Sequence, residues 1–197
     1  MMMMMMNKIS STLKKNILVG VSGFATSGKD TLYMVCKSEL PNHINTKRYA
    51  FADQLKEESD DFLIKNVGIS AFTTDPVEKE TIRPFLVTYG THIRRKLNPN
   101  CWINRLEESI RAEALTDHVI FITDVRFENE AVWIKNNGGF LINVSREGIG
   151  PANADEESQS YLLKEHTSFC VNWPTVGSTK ISELKQYISP ILEKFSE

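Results

Sequence analysis

The sequence predicts an α/β fold in which a mainly parallel, five-stranded sheet is flanked by helices. Three observations predict it: short apolar runs recur along the chain, helical patterns separate them, and the first run leads into a glycine-bracketed loop that opens a helix. Strands that are apolar throughout are buried on both faces, so their alternation with helices favours a parallel sheet covered on two sides. Ligands of such sheets bind at the carboxyl ends of the strands.

The first strand begins near residue 16 and runs into the sequence Gly-Phe-Ala-Thr-Ser-Gly-Lys-Asp-Thr at 23–31. This loop has the spacing of a phosphate-binding loop. Gly23 and Gly28 let backbone N–H groups turn toward a polyphosphate, Lys29 supplies a positive charge, and a helix over 30–40 presents its N-terminus. A glycine-rich turn that binds no ligand is the alternative.

Asp30 stands where Ser or Thr usually binds the metal in this motif. A carboxylate beside a polyphosphate repels it unless a cation intervenes, so we expect Asp30 to bind or orient the water shell of Mg²⁺. The hydroxyl of Thr31 and the helix N-terminus would hold an inner phosphate. An ordinary acid at a helix N-terminus is the alternative.

Four further apolar runs can join the sheet: 47–51, 119–123, 140–144 and, more weakly, 169–173. Helical spacing predicts helices over 54–67, 101–115 and 181–195, the last with a kink at Pro190. Residues 76–95 form another helical region, interrupted at Pro84. The polar, breaker-rich stretch 147–158 predicts a mobile loop.

Length and composition suit one domain over 15–197, after a low-complexity extension over 1–14 that we expect to be poorly ordered. The chain has 23 basic and 25 acidic residues and a net charge of −2, which provides no general basic field for nucleic acid. No apolar stretch reaches the roughly 20 residues that span a bilayer. The three cysteines and four histidines lack disulfide or metal-site spacing, and a reducing cytoplasm fits best.

The run 119–123 ends in Asp124, the acid expected beside a phosphate loop, where it can hold Mg²⁺ through water. Capping of a helix is the alternative for this residue. Arg126 follows two residues later, and its guanidinium could reach across transferring phosphates. A structural salt bridge to Glu128 or Glu130 is the alternative for Arg126.

Several blocks, in order, resemble phage and viral deoxynucleoside monophosphate kinases of the adenylate-kinase-like group. They are the loop 23–31, Phe-Ala-Asp-Gln-Leu-Lys at 51–56, Tyr-Gly-Thr at 89–91 followed by Arg95, Trp102, and Asp-Val-Arg-Phe-Glu-Asn-Glu at 124–130. The resemblance covers roughly 16–195. It implies a three-layer P-loop NTPase fold and transfer of the ATP γ-phosphoryl group to a deoxynucleoside 5′-monophosphate, with ATP as donor and Mg²⁺ as cofactor.

The resemblance also implies a set of site residues. ATP would be bound by Gly23, Ala25, Ser27, Gly28, Lys29, Asp30 and Thr31, with Arg146 as a lid arginine. The acceptor would be bound by Asp53, Lys56, Arg83, Tyr89, Arg95 and Trp102. Mg²⁺ would be bound by Asp30 and Asp124, in part through water. Catalysis would fall to Lys29, Asp124 and Arg126. The acceptor region would be the helical stretch about 52–115, and the lid about 147–160. The helical spacing of Tyr89 and Trp102 also permits core packing, which for Trp102 is an equal alternative. An adenine-side loop over 174–178 could be an ordinary connection.

Other P-loop kinases remain open, with a ribonucleoside monophosphate, dephospho-coenzyme A or phosphomevalonate as acceptor. A nucleotide-binding switch without transferase activity is a further alternative, although the chain lacks an Asn-Lys-x-Asp guanine element. The expected partners are small-molecule nucleotides, without direct nucleic-acid or membrane binding. Relatives suggest a homodimer, and the location would be the cytoplasm, or the host cytoplasm if the protein is viral.

Overall fold

The structure is a computed structural model that describes residues 16–115, 117–174 and 181–195. The expectations for the extension over 1–14 and for 175–178 lie outside these residues. The chain divides into two compact units: residues 1–49 with 113–197 (unit 1), and residues 50–112 (unit 2).

Unit 1 contains a five-stranded, all-parallel sheet, which confirms the predicted fold class. Its strands are β1 (Ile17–Ser22), β2 (Asn45–Tyr49), β3 (His118–Ile122), β4 (Phe140–Arg146) and β5 (Thr167–Trp173), in the spatial order β2-β3-β1-β4-β5. The central strand β1 pairs with β3 and β4, so that Val19 lies beside both Phe121 and Phe140. The second strand ends at Tyr49, and Phe51, predicted to lie in it, begins a helix instead.

The helices are α1 (Lys29–Glu39), α2 (Phe51–Val67), α3 (Pro76–Val87), α4 (Cys101–Ala112), α5 (Glu128–Asn136), α6 (Ala154–Lys164) and α7 (Ser189–Lys194). A π-helical segment, Thr88–Arg95, continues α3, and a 3₁₀ helix, Ile181–Tyr187, precedes α7. The predicted interruption at Pro84 is wrong, because α3 runs through this proline. The helix predicted over 181–195, with a kink at Pro190, is instead two helices: the 3₁₀ helix ends at Tyr187 and α7 begins at Ser189, with Pro190 in its first turn.

Two further expectations are corrected. Helix α5 was not predicted, since its nine residues bury only Glu130, Ala131 and Ile134 and carry little apolar periodicity. The loop predicted over 147–158 ends earlier, because α6 begins at Ala154. Asn153 caps this helix by accepting from the Glu156 backbone N–H, and the three acids of its first turn favour the positive end of the helix.

Alternate residues of β1 face opposite sides of the sheet, as its period of two requires. Val19 and Val21 join a core with Leu32 of α1 and with residues of the C-terminal helices. Gly20 faces the other side, where an added Cβ would lie 2.6 Å from Ile134 of α5. Helices therefore cover both faces of the sheet, which gives unit 1 the three-layer, P-loop-type arrangement.

Unit 2 is helical and has its own small core of Leu63, Ala71 and Ile82. Asp75 caps α3 by accepting from two backbone N–H groups. The Phe85 ring stacks against both Phe62 and Tyr89, which ties α2 to α3 and to the π-helical segment. Among the described residues, no helix combines the length and the hydropathy needed to cross a membrane.

Candidate active site

The loop between β1 and α1 turns through two glycines that no other residue could replace without strain. Gly23 has φ +139° and Gly28 has φ +96°, both in the region that favours glycine. A Cβ on Gly23 would lie 2.2 Å from the backbone oxygen of Val144, so β4 packs directly against the loop. The loop therefore has the tight turn of a phosphate cradle, and it leads into the N-terminus of α1, where the first N–H groups have no partner within the helix.

Lys29 folds back over this loop. Its Nζ donates hydrogen bonds to the carbonyl oxygens of Gly23, at 2.8 Å, and Phe24, at 2.7 Å. Burial lowers the pKa of Lys29, and the charge of Arg126 lowers it further, whereas Asp124, Glu156 and Asp30 act in the opposite direction. The ammonium group thus lies in the electrostatic field of charged residues at the start of α1, after β3 and in α6.

The segment after β3 is held in place by Glu130, which is completely buried. Its carboxylate accepts from the backbone N–H groups of Arg126, at 2.8 Å, and Phe127, at 3.0 Å. Glu130 therefore holds the backbone from which Arg126 projects through a side-chain-to-backbone contact. The sequence signal for it was an acid at the third position of a helix, which commonly reaches back to free N–H groups.

Asp30, in the first turn of α1, pairs with an arginine. The Nε of Arg48 at β2 lies 2.9 Å from Asp30 Oδ1, and the Asp30 side chain is 72% exposed. Arg48 was not among the predicted site residues. Of the other loop positions, Ala25 is exposed, Thr31 is half-buried in the first turn of α1, and Ser27 is 1% exposed.

The ends of β4 and β5 close one side of the loop. The indole Nε1 of Trp173 donates to the carbonyl oxygen of Gly28 at 3.2 Å. A Cβ on Gly28 would lie 2.7 Å from the Trp173 ring and 2.9 Å from Arg146 Nη2, so both side chains contact the glycine. The predicted residue Arg146 is thus at the loop, together with Trp173, which sequence reasoning did not assign.

These residues fit a bound polyphosphate. Ser27 Oγ and Arg146 Nε are buried and have no hydrogen-bond partner, and both can donate to phosphate oxygens. The described residues contain no group of three or more His, Cys, Asp or Glu side chains that could hold a metal alone. Magnesium is commonly held by one or two carboxylates together with substrate phosphates, and Asp124 and Asp30 are the two carboxylates that the sequence predicts for it.

The predicted acceptor residues all lie in unit 2. Lys56 Nζ is 3.9 Å from Asp53 and lies over the Phe72 ring, 5.5 Å from its centroid. Arg83 is largely exposed and pairs with Glu80 at 2.8 Å. Arg95 is half-buried near the end of the π-helical segment.

Glu58 of α2 contacts Tyr89, Arg94 and Arg105. Its carboxylate accepts from the Tyr89 hydroxyl at 2.7 Å, lies 2.7 Å from Arg94 Nε and is 3.4 Å from Arg105 Nη1. The hydrogen bond to Glu58 raises the pKa of Tyr89. Sequence reasoning identified Tyr89 and missed Glu58 and Arg105, which carry no local motif.

Trp102 is 2% exposed and lies within the core of unit 2. Its Nε1 donates to the Gly90 carbonyl oxygen at 3.3 Å, and Arg94 lies over its ring, 5.6 Å from the centroid. This burial favours the packing interpretation over contact with a base. Arg94 thus contacts both Trp102 and Glu58, so the buried tryptophan helps to hold the Arg94 side chain in place.

The parallel sheet of unit 1, flanked by helices, and the glycine-bracketed loop that leads into α1 give an α/β, P-loop-like arrangement. No protein-family model matches the sequence. The chain is 26% identical over 183 residues to a protein of Acanthamoeba polyphaga mimivirus named "Putative deoxynucleotide monophosphate kinase", covering 81% of this chain and 90% of that protein. A solved structure, "Crystal structure of TT1252 from Thermus thermophilus", has 10% identity and a TM-score of 0.47, covering 92% of this chain and 99% of that one.

Proposed function

We propose that the protein is a nucleotide kinase that transfers the γ-phosphoryl group of ATP to a deoxynucleoside 5′-monophosphate with the help of Mg²⁺. The observation that carries the proposal is the cradle at the N-terminus of α1. There Lys29 folds over the loop, and Ser27 Oγ and Arg146 Nε are buried without hydrogen-bond partners. The name of the mimivirus relative supports the kinase class and the type of acceptor.

The loop residues would bind the donor phosphates. Backbone N–H groups of 23–31 and the positive end of α1 attract the polyphosphate, and Lys29 and Arg146 neutralise its oxygens. Burial of Lys29 strengthens its attraction to a phosphate, because charges interact more strongly when water is excluded. Bound Mg²⁺ would supply further positive charge across the transferring oxygens.

Arg126 and Asp124 would act where the phosphoryl group moves. The charges of both act on the pKa of Lys29, which supports a role for both in the electrostatic field of the bound phosphates. Arg126 would stabilise charge spread over the transferring oxygens, and Asp124 would orient the metal's water shell. Glu130 would act as a positioning residue, since it holds the backbone from which Arg126 projects.

The acceptor would be bound by unit 2. Arg95 and the pair Arg94–Arg105 provide guanidinium groups, each of which can donate two parallel hydrogen bonds to two oxygens of a monophosphate. The acceptor phosphate carries about 1.5 to 2 negative charges at neutral pH, so the reaction needs positioning and neutralisation more than a strong base. The absence of a nucleophile–base pair from the predicted site residues agrees with this chemistry.

A coupled assay of ADP release tests the proposal. It would be run with ATP and Mg²⁺ against the four deoxynucleoside monophosphates, their ribose counterparts and no acceptor. We expect ADP release that depends on a deoxynucleoside monophosphate. Hydrolysis of ATP that no acceptor increases would refute the kinase assignment, and a preference for ribose acceptors would refute the proposed substrate class.

Two lysines of α1 give a matched pair for the same assay. Lys29→Ala should lower turnover by about a hundredfold or more, as removal of a group that stabilises transferring charge typically does. Lys37→Ala, in the last turn of the same helix, removes an equal charge that lies over the Tyr33 ring rather than at the loop. Equal effects of the two substitutions would contradict the assigned site.

A further inference from the structure

We propose that Trp173 is a positioning residue of the phosphate loop: its indole N–H holds the Gly28 peptide in the orientation that binds polyphosphate. The inference rests on the proposed function, because it concerns the same donor-phosphate site. Trp173 is the last residue of β5 and is 2% exposed, and no motif in the sequence marks it.

The Gly28 carbonyl is held from two sides. It accepts from the Leu32 backbone N–H at 3.0 Å, the first bond of α1, and from Trp173 Nε1 at 3.2 Å. A carbonyl oxygen has two lone pairs, and here both are used. The Trp173 ring is itself fixed by burial and by an edge-to-face contact with Tyr187, with the centroids 5.9 Å apart.

Holding this carbonyl also orients the next N–H group. The peptide between Gly28 and Lys29 is planar, and in the trans form its C=O and N–H point in opposite directions. A carbonyl directed into α1 and toward Trp173 therefore directs the Lys29 N–H away from the helix, toward the loop. This N–H is one of the free donors at the helix N-terminus that bind an anion.

The indole also limits where the loop can move. Gly28 adopts φ +96°, a conformation that a glycine leaves easily because it populates both signs of φ. The Trp173 ring occupies the space beside its Cα, as the 2.7 Å distance to a built Cβ shows. The loop is thus restrained before a ligand binds, which lowers the ordering cost of binding.

The test separates the N–H group from the ring. Trp173→Phe removes the donor and keeps an aromatic ring, and replacement of Trp173 by its benzothienyl analogue, with sulfur in place of N–H, keeps the ring shape as well. Trp133→Phe is the control, because Trp133 lies on α5 and not at the loop. Calorimetry measures the affinity of the folded full chain for inorganic tripolyphosphate and for ADP, and melting temperature monitors packing.

We expect both Trp173 variants to bind tripolyphosphate and ADP about two- to tenfold more weakly, the value of one hydrogen bond, and the control to bind normally. The benzothienyl variant should keep the wild-type melting temperature. Wild-type affinity in that variant would overturn the inference, as would a loss for ADP without a loss for tripolyphosphate. Those outcomes leave the kinase assignment intact, whereas failure of the wild-type protein to bind either ligand would overturn both.

Discussion

Substitution of Gly28 by alanine should destabilise unit 1 substantially, by two additive effects. An alanine at φ +96° is strained by about 1–2 kcal/mol, the cost of the left-handed region for a residue with a Cβ. The new Cβ would also lie 2.7 Å from the buried Trp173 ring and 2.9 Å from Arg146 Nη2. Overpacking of this kind costs about 1–3 kcal/mol, so the expected loss is about 2–5 kcal/mol.

Gly138→Ala isolates the first effect. Gly138 also belongs to unit 1 and has φ +78°, but nothing lies within 4 Å of the position its Cβ would take. Its substitution should cost only the strain of about 1–2 kcal/mol. The free energy of unfolding of both variants is measured by urea denaturation followed by tryptophan fluorescence.

The difference between the two variants is the decisive quantity. A larger loss in Gly28→Ala supports the close contact of Trp173 and Arg146 with the loop. Equal losses would show that the Trp173 ring does not occupy the space beside Gly28, and would refute the packing on which the loop's shape depends. Addition of ADP should stabilise the wild-type protein and Gly138→Ala, and should stabilise Gly28→Ala less, because its loop binds phosphate more weakly.

Three further outcomes are expected. Because the pKa of Lys29 is lowered, the affinity for tripolyphosphate, measured by calorimetry, should fall as pH rises through a value below the ordinary 10.5. The fall should be absent in Lys29→Arg, because arginine stays charged over this range. Glu58→Gln should lower the free energy of unfolding by about 1–2 kcal/mol, after allowance for the partial exposure of its arginine partners. The same substitution should lower the raised pKa of Tyr89, which a phenolate absorbance titration measures. An unchanged pKa of Tyr89 would contradict the hydrogen bond to Glu58. A thiol reagent at neutral pH should react with the exposed Cys170 in the native protein and with all three cysteines after unfolding, because burial raises the pKa of Cys36 to about 12 and also raises that of Cys101; rapid reaction of three native thiols would refute this burial.

The sheet was predictable because its signal is local. Runs such as 119–123 are apolar on both faces, and only a strand covered on two sides needs that composition. The ends of elements were less predictable, since Phe51 is apolar enough for a strand yet begins α2. Helix α5 was missed because it is short and because one of its three buried residues is the charged Glu130.

The candidate site also has residues that the sequence identified and residues that it did not. The residues of the loop were identified from spacing, because a phosphate cradle is built from consecutive backbone groups. Spacing could not identify three other residues, because each contacts a residue that is distant in sequence. Trp173 contacts Gly28, Glu58 contacts Tyr89, and Arg48 contacts Asp30. Such contacts leave no periodic or consecutive pattern in the chain.

The sequence by itself determined the order of the five strands along the chain, the phosphate-type loop, and the acid and arginine that follow β3. These features depend on apolar periodicity and on the conformational needs of neighbouring residues, which are written consecutively in the chain. Only the tertiary structure decided that Asp30 pairs with Arg48, that Glu130 holds the Arg126 backbone, and that Trp173 closes the loop at Gly28. Hydrogen bonds and ion pairs depend on distance in space, and parallel β-strands bring together side chains that lie far apart along the chain.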